Sequence, residues 1–366
     1  LAFPRLAFSS VVGGDRVMEY PADLGFRMPA EWEPHEAVWF SWPHPEGISF
    51  PGAYDLIPPA MGALVRAAAE FETVRINVRD AVEEAEARSH VGRHDRVQYI
   101  HLPTNEPWCR DHGPIFLVND ATGEVAVADF DFNSWGGKYA GPDLDRMVPS
   151  ALAKILGLRC FRCPMVLEGG SIEVNGTGSL LTTRSCLLSP NRNPDLNEGQ
   201  IEANLRGWLG VRNILWLGDG IEGDDTDGHI DDLTRFVGKS RVVTVVEPDP
   251  GDANHIILEK NLSALQALRD EGGKPLEVVT LPMPARRLEH DGQRLPASYA
   301  NFLLVNGGVL MPAFGDPRDA EAAAVLGSLF PGRKIVPVDC RAIIIGLGSV
   351  HCLTQQQPAS PRVLAS

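Results

Sequence analysis

Runs of positive charge are missing from this chain. Its 366 residues carry 33 Lys and Arg against 48 Asp and Glu, a formal charge of −15, and no block of five basic residues occurs. Phosphate contacts need clustered cations, so nucleic-acid binding is excluded. Long apolar runs are missing as well. The stretch 302–310 is interrupted by Asn306, Gly307 and Gly308, and nothing reaches the roughly 18 apolar residues that cross a bilayer, which excludes a membrane-spanning helix. Cysteine is scarce: Cys109, Cys160, Cys163, Cys186, Cys340 and Cys352 in so long a chain do not form a disulfide framework. Cys160 and Cys163 have the spacing of a redox or zinc pair, but no second pair accompanies them. Residues 1–17 lack the basic, apolar, small-residue order of a secretory signal, so Met18 is the expected natural start and the cytoplasm the expected location.

What is present is a core-forming composition, 44% hydrophobic, with 36 Gly and 29 Pro to punctuate it. A secondary-structure rhythm runs through it. Alternating segments 115–118 and 125–132 flank a turn at Ala121-Thr122-Gly123, and a helix over 144–156 and a strand over 159–162 follow. The order returns with strands 171–174 and 180–183 around Asn175-Gly176-Thr177-Gly178, helix 198–209 and strand 213–217. It returns again with strands 234–237 and 242–246, helix 253–268 and strand 276–281. The last full copy has strands 302–305 and 309–313, helix 318–330 and strand 334–338. These copies recur about every 55–70 residues. A fifth is assembled from both chain ends: strand 37–42, helix 57–71, strand 74–77 and a closing strand over 342–352. Each copy alone has open edges and a bare apolar face, so the copies must pack together. Sharing one copy between the two ends predicts a ring, an α/β fold of the five-bladed propeller type. The expected division is an N-terminal extension 1–26, one domain 27–358 and a tail 359–366.

Unusual polar clusters stand just before the first strand of several copies: Trp108 to Pro114, Leu167 to Ser171, Asp224 to Asp232, and Gly346 to Cys352. Equivalent places in a ring face its axis, so carboxylates, a histidine and a cysteine are expected to converge there. In extended backbone, Asp227, His229 and Asp231 would share one face. Cys352 is the leading candidate nucleophile and Cys109 its competitor. His351, adjacent to Cys352, would point away, which leaves His229 as the better base. A thiol, a histidine and several carboxylates suit a cationic substrate, and planar guanidinium matches carboxylates in a two-pronged geometry. Acyl transfer would need hydrogen-bond donors instead.

Those residues carry a family resemblance. Residues 27–35 (Arg-Met-Pro-Ala-Glu-Trp-Glu-Pro-His), the Trp108, Arg110-Asp111, Gly113-Pro114 pattern and Asn133-Ser134-Trp135-Gly136-Gly137-Lys138 are similar to motifs of the agmatine deiminase and bacterial-type peptidyl-arginine deiminase family. So are Leu167-Glu168-Gly169-Gly170, Asn191-Arg192-Asn193-Pro194, residues 225–231 and His351-Cys352. The resemblance spans about 27–358 and implies the guanidine-modifying, or pentein, superfamily with its five-bladed α/β propeller. It implies Cys352 as nucleophile, His229 as general acid and base, Asp111 and Asp231 as guanidinium ligands, and Glu168 assisting. Trp108 would pack on the substrate's aliphatic stem and Asp225 would lie near the distal amine. It implies no metal or organic cofactor, a small guanidino substrate such as agmatine, and an oligomer of identical chains. Three departures stand out: Glu106 before the tryptophan, His112 at a usually small position, and Leu347 between Gly346 and Gly348. Other readings are a peptidyl-arginine deiminase, a metal-dependent hydrolase on Asp225, Asp227, His229 and Asp231, and a non-catalytic binding propeller.

Overall fold

A computed structural model describes residues 19–361. Met18 and the outer parts of the two end segments lie outside the described residues. Within them, five sheets of three or four strands alternate with helices, and a two-stranded hairpin, Glu289–His290 with Gln293–Arg294, stands apart. The fold is mixed α/β. No described helix is long and apolar enough to cross a membrane.

The five sheets share one topology. In the first, Ile115–Asn119 pairs antiparallel with Val125–Asp131, which pairs parallel with Arg159–Val166. Glu173–Val174, Ser179–Thr183 and Asn213–Leu217 repeat the order. So do Thr234–Gly238, Arg241–Val246 and Glu277–Pro282, and Leu303–Val305, Gly308–Ala313 and Lys334–Asp339. The antiparallel step needs only a hairpin, whereas the parallel step needs a crossover, and in each sheet a helix supplies it. Asn175 shows how a turn is encoded locally. Its Oδ1 accepts from the backbone N–H groups of Thr177, Gly178 and Ser179 at 2.9–3.0 Å, while Gly176 adopts φ 72°.

The fifth sheet joins the two ends of the chain, but not by the expected segment. Residues 342–352 form no strand: Ile343–Gly346 is a 3₁₀ turn and Leu347 is left-handed at φ 69°. The closing strand is Thr354–Pro358, antiparallel to His35–Ser41, which runs parallel to Thr73–Val78. The apolar content of 342–352 reflects burial of a turn, not β periodicity. Two further elements went unanticipated, helix Ala81–Val91 and strand Val97–His101. The helix is largely exposed and polar and presents no clear apolar stripe, and the strand is five residues long and only half-buried. Ahead of the first sheet, Phe26–Arg27 adds a short strand to Ile115–Asn119, and Tyr20 packs edge-on against Trp208 with ring centroids 5.2 Å apart.

The crossover helices bury their apolar faces. In Ile57–Ala69, Pro58 and Pro59 occupy the first turn, where missing N–H groups cost nothing, and Ile57, Met61, Leu64, Val65 and Ala68 are fully buried. Each such aliphatic side chain contributes about 1.5–3 kcal/mol on burial. This packing holds the segments before each sheet as short fixed turns: Cys109–His112, Gly169–Ser171 and Ile230–Asp232.

Candidate active site

Those turns bring Asp111, Glu168, His229 and Asp231 together, all at most 5% exposed. Gly170 is their meeting point. A Cβ built on it would lie 2.6 Å from His229 Nδ1, 2.7 Å from Asp111 Oδ1 and 3.2 Å from Asp231 Oδ2. Only hydrogen fits there, which accounts for Gly-Gly after Glu168. Gly170→Ala should therefore lower kcat/KM about 100-fold, since displacing positioned groups by an ångström costs on that order. Steady-state kinetics beside a melting curve will separate this from loss of fold.

Each carboxylate is oriented by neighbours. Asp111 Oδ2 accepts from the Trp135 indole at 2.9 Å and Oδ1 from the Gly170 N–H at 3.2 Å. Asp231 Oδ2 meets His351 Nδ1 at 2.7 Å, while Oδ1 has no partner in the protein. Glu168 Oε1 accepts from Arg192 Nε at 2.6 Å and Oε2 has no partner. His229 Nδ1 stands 3.6 Å from Asp111 Oδ1. Cys352 is buried beside them: Asn301 Nδ2 donates to its Sγ at 3.1 Å, and Asp231 Oδ2 is 3.8 Å away.

Acidic neighbours dominate around Cys352. Burial pushes the Cys352 thiol well above its usual pKa, and Asp231, Asp232 and Asp111 add to the rise. Burial likewise raises Asp111, with Asp231 adding and His229 and Trp135 opposing. Asp232 is driven well up by burial and by its acidic neighbours. Asp231 resists its own burial because His351 hydrogen-bonds and attracts it, so its carboxyl stays below the ordinary value. A planar cation placed among these groups would favour ionisation of the acids and the thiol together.

Above them opens a cavity of about 280 Å³, with Trp108, Asp111, Trp135, Asp225, Leu347 and Cys352 among its lining residues. Trp108 donates its indole N–H to Ser49 Oγ at 2.7 Å and is backed by Gly346 and Gly348, whose Cβ positions would lie 2.8 and 2.5 Å from its ring. The glycines flanking Leu347 thus make room for Trp108. Glu106, a departure from the motif, accepts from the Ile48 N–H at 2.8 Å and also from Ser49, tying the 47–49 loop to the mouth. His112 hydrogen-bonds through Nε2 to the Glu106 carbonyl at 3.1 Å.

The expectation of one face for Asp227, His229 and Asp231 does not hold. Asp227 is left-handed at φ 67°, Gly228 at 103°, and Ile230–Asp232 is a 3₁₀ turn, so alternation breaks down. Asp227 does not line the cavity. Its oxygens are taken by Lys138 at 2.9 Å, Asn191 at 2.9 Å and Arg192 at 2.7 Å. Partial burial works against its ionisation, but those donors hold it at about 2. Arg192 therefore spans Glu168 and Asp227, and Asn133 Nδ2 donates to the Asn191 carbonyl at 2.9 Å. The motifs at 133–138, 167–170, 191–194 and 225–231 are parts of one scaffold. Asp225 does reach the mouth, where the Tyr139 hydroxyl donates to it and Lys138 lies 3.5 Å away. Asp225, Asp227, His229 and Asp231 do not gather their ligand atoms about one point among the described residues, contrary to the metal-hydrolase alternative.

Sequence reasoning passed over two residues. Asn301 stands before the first strand of the fourth sheet, a position equivalent to the other clusters, but its neighbours are apolar and give no polar signal. Glu31, within the first motif, reaches His351 Nε2 and Arg235 Nη2 at 2.7 and 2.6 Å. His351 does not line the cavity, but strand alternation is not the reason, because residues 342–352 form no strand. It is clamped between Asp231 and Glu31 instead.

Comparison with known proteins settles the kinship. The Porphyromonas-type peptidyl-arginine deiminase family matches residues 27–358. The chain belongs to that family. Among family relatives, a putative agmatine deiminase from Legionella pneumophila (strain Paris) is 39% identical, covering 93% of this chain and 97% of that protein. The agmatine deiminase of Pseudomonas aeruginosa (strain LESB58) is also 39% identical, over 93% and 97%. The solved structure of Enterococcus faecalis agmatine deiminase superposes with a TM-score of 0.90 at 33% identity, covering 94% of this chain and 99% of that one.

Proposed function

We propose that this protein is an agmatine deiminase: it hydrolyses the guanidinium of agmatine to N-carbamoylputrescine and ammonia, a step towards putrescine, with 27–358 as one catalytic domain. The observation that carries the reading is the buried thiol of Cys352, set beside Asp231 and Asp111 in a pocket of excess negative potential. Curated and solved relatives that bear the agmatine deiminase name, matched over nearly their whole length, support it. The common topology of the five sheets, with one sheet made from both chain ends, supports a five-bladed arrangement around this site.

Asp111 and the free Oδ1 of Asp231 hold the guanidinium nitrogens, and Trp108 covers the methylene stem. The bound cation favours the thiolate, and the thiol proton passes to His229. Sγ then attacks the central guanidinium carbon. His229 returns the proton to one nitrogen, the C–N bond breaks and ammonia departs, leaving a thiouronium on Cys352. A water attacks that carbon as His229 takes its proton. The C–S bond breaks, the remaining hydroxyl proton passes to the departing sulfur, the ureido product leaves, and His229 gives its proton to solvent. Glu168, held by Arg192, keeps a free oxygen beside His229 to orient and stabilise the imidazolium.

Asp225 is the carboxylate at the mouth that suits a distal ammonium. Asp225→Asn should raise KM for agmatine about tenfold with little change in kcat, the pattern of lost ground-state binding. The reading as a whole is tested by ammonia release from agmatine, free arginine and a blocked arginine peptide. Turnover of agmatine alone is the expected result. Turnover of the peptide alone would keep the mechanism and transfer the function to protein citrullination.

A further inference from the structure

Among the described residues, three buried groups of side chains have ligand-type atoms within 4.8 Å of one another: Glu31, Glu173 and His351; Asp231, Asp232 and Cys352; and Glu168, Cys186 and His229. The first is already filled by a cation. Arg235 donates to Glu31 at 2.6 Å and to Glu173 at 2.8 Å. The second is committed to the proposed reaction: His351 occupies one oxygen of Asp231, and Asn301 donates to the sulfur.

The third is different. Glu168 Oε2 and both ring nitrogens of His229 are buried without a hydrogen-bond partner in the protein. Arg192 engages only the other Glu168 oxygen. Cys186, wholly buried on the short helix Arg184–Leu187, brings a thiol to the same point and has no part in the proposed mechanism. Its placement is local: Thr183 Oγ1 accepts from the Cys186 N–H at 3.4 Å and starts the turn.

We infer that Glu168, Cys186 and His229 form a binding site for a thiophilic divalent cation of the zinc type, and that occupation of this site shuts the enzyme off. One sulfur, one imidazole nitrogen and one carboxylate oxygen are the donors such ions take at about 2.0–2.3 Å. Sulfur and nitrogen donors disfavour calcium and magnesium, which require oxygen. Ligands of a tetrahedral site lie about 3.3–3.8 Å apart, so separations of up to 4.8 Å must contract by about 1.5 Å at most through adjustment of the three side chains, and a water would complete the fourth position. Burial and the nearby Glu168 hold the Cys186 thiol well above its usual pKa, so without metal it is a neutral thiol. Binding breaks the S–H bond, forms the metal–sulfur bond and releases one proton to solvent. The ion also takes the lone pair of a His229 ring nitrogen and so removes the group that carries protons. This consequence rests on the role given to His229 above; binding itself does not.

Cobalt(II) titration of the purified protein tests the site without any turnover, because a cobalt–thiolate bond gives a near-ultraviolet charge-transfer band. The band is expected in the wild type and in Cys352→Ala, and lost in Cys186→Ala. Cys186→Ser, which keeps the volume with a poorer ligand, serves if the alanine variant does not fold. No band, or a band lost in Cys352→Ala and kept in Cys186→Ala, overturns the site. In the activity arm, zinc should inhibit ammonia release, and Cys186→Ala should keep its basal turnover while needing at least about tenfold more zinc. Equal zinc sensitivity in both proteins overturns the regulatory claim. A protein with the expected cobalt band but no turnover of any guanidine would instead defeat the proposed function and leave the site standing.

Discussion

Cys352→Ala is expected to abolish ammonia release from agmatine, by at least about 10,000-fold, while the protein remains folded. The residue is buried, but removing one sulfur leaves the neighbouring turn intact, because the Cys352 carbonyl still accepts from the Arg110 N–H at 3.1 Å. No other thiol can substitute. Cys109, the competing candidate, is wholly buried, does not line the cavity, and is pushed up to about 12 by burial. The state of Cys352 makes a second, finer expectation. Its pKa lies well above 9 in the free protein, through burial first and then three acidic neighbours. Alkylation of the free protein at neutral pH should therefore be slow and should rise steadily with pH up to 9 and beyond. A fast, pH-independent reaction at pH 7 would show a preformed thiolate and refute substrate-assisted ionisation. Full turnover by Cys352→Ala would end the covalent mechanism.

Arg235→Met is expected to cost about 3–5 kcal/mol of stability, read as a lower midpoint in urea unfolding, because it strands two buried carboxylates. Arg235 is 0% exposed and holds Glu173 at 2.8 Å and Glu31 at 2.6 Å. It also donates to the Phe302 carbonyl at 2.6 Å and lies over the Phe302 ring at 4.7 Å. Methionine preserves the packing stem but none of the five donors. The pH dependence has a definite sign. Burial opposes ionisation of Glu31, yet Arg235 and His351 hold its carboxyl well below 4.5. Its stabilising contribution is therefore fully present above the unfolded value and lost only as pH falls through the lower folded one. Without Arg235 the folded value rises, so the acid limb of the stability curve should move to higher pH. An unshifted limb with an unchanged midpoint would mean that the network does not bear on stability. Because Glu31 also holds His351, and His351 holds Asp231, the variant should weaken agmatine binding as well.

Much of this molecule was open to reading from its residues. Hairpin signals such as Asn175-Gly176 and Asn306-Gly307 act within a few residues and recur with a helix and a strand after each, so four of the five sheets could be drawn in advance. The polar clusters before the first strands could be found too, because they occupy equivalent places in successive copies. The elements that escaped were a buried turn at 343–346 that resembles a strand in composition, the helix 81–91, which has an Asp80 cap but no clear apolar stripe, and the short strand 97–101.

The chemistry divides along the same line. Residue types and the repeated placement of the clusters pointed to a thiol, a histidine and several acids converging on one site that suits a guanidinium, because a planar cation matches carboxylates in a two-pronged geometry. Tertiary structure decided which of them serve. Asp227 and Asp231 are four residues apart, yet one pins a loop to Arg192 and Lys138 while the other faces Cys352. Two left-handed residues and a 3₁₀ turn between them set those directions. Asn301 and Glu31 gain their places only through contacts made across sheets. Backbone periodicity governs which way neighbouring side chains point. What they meet depends on elements hundreds of residues away, and no local pattern records that.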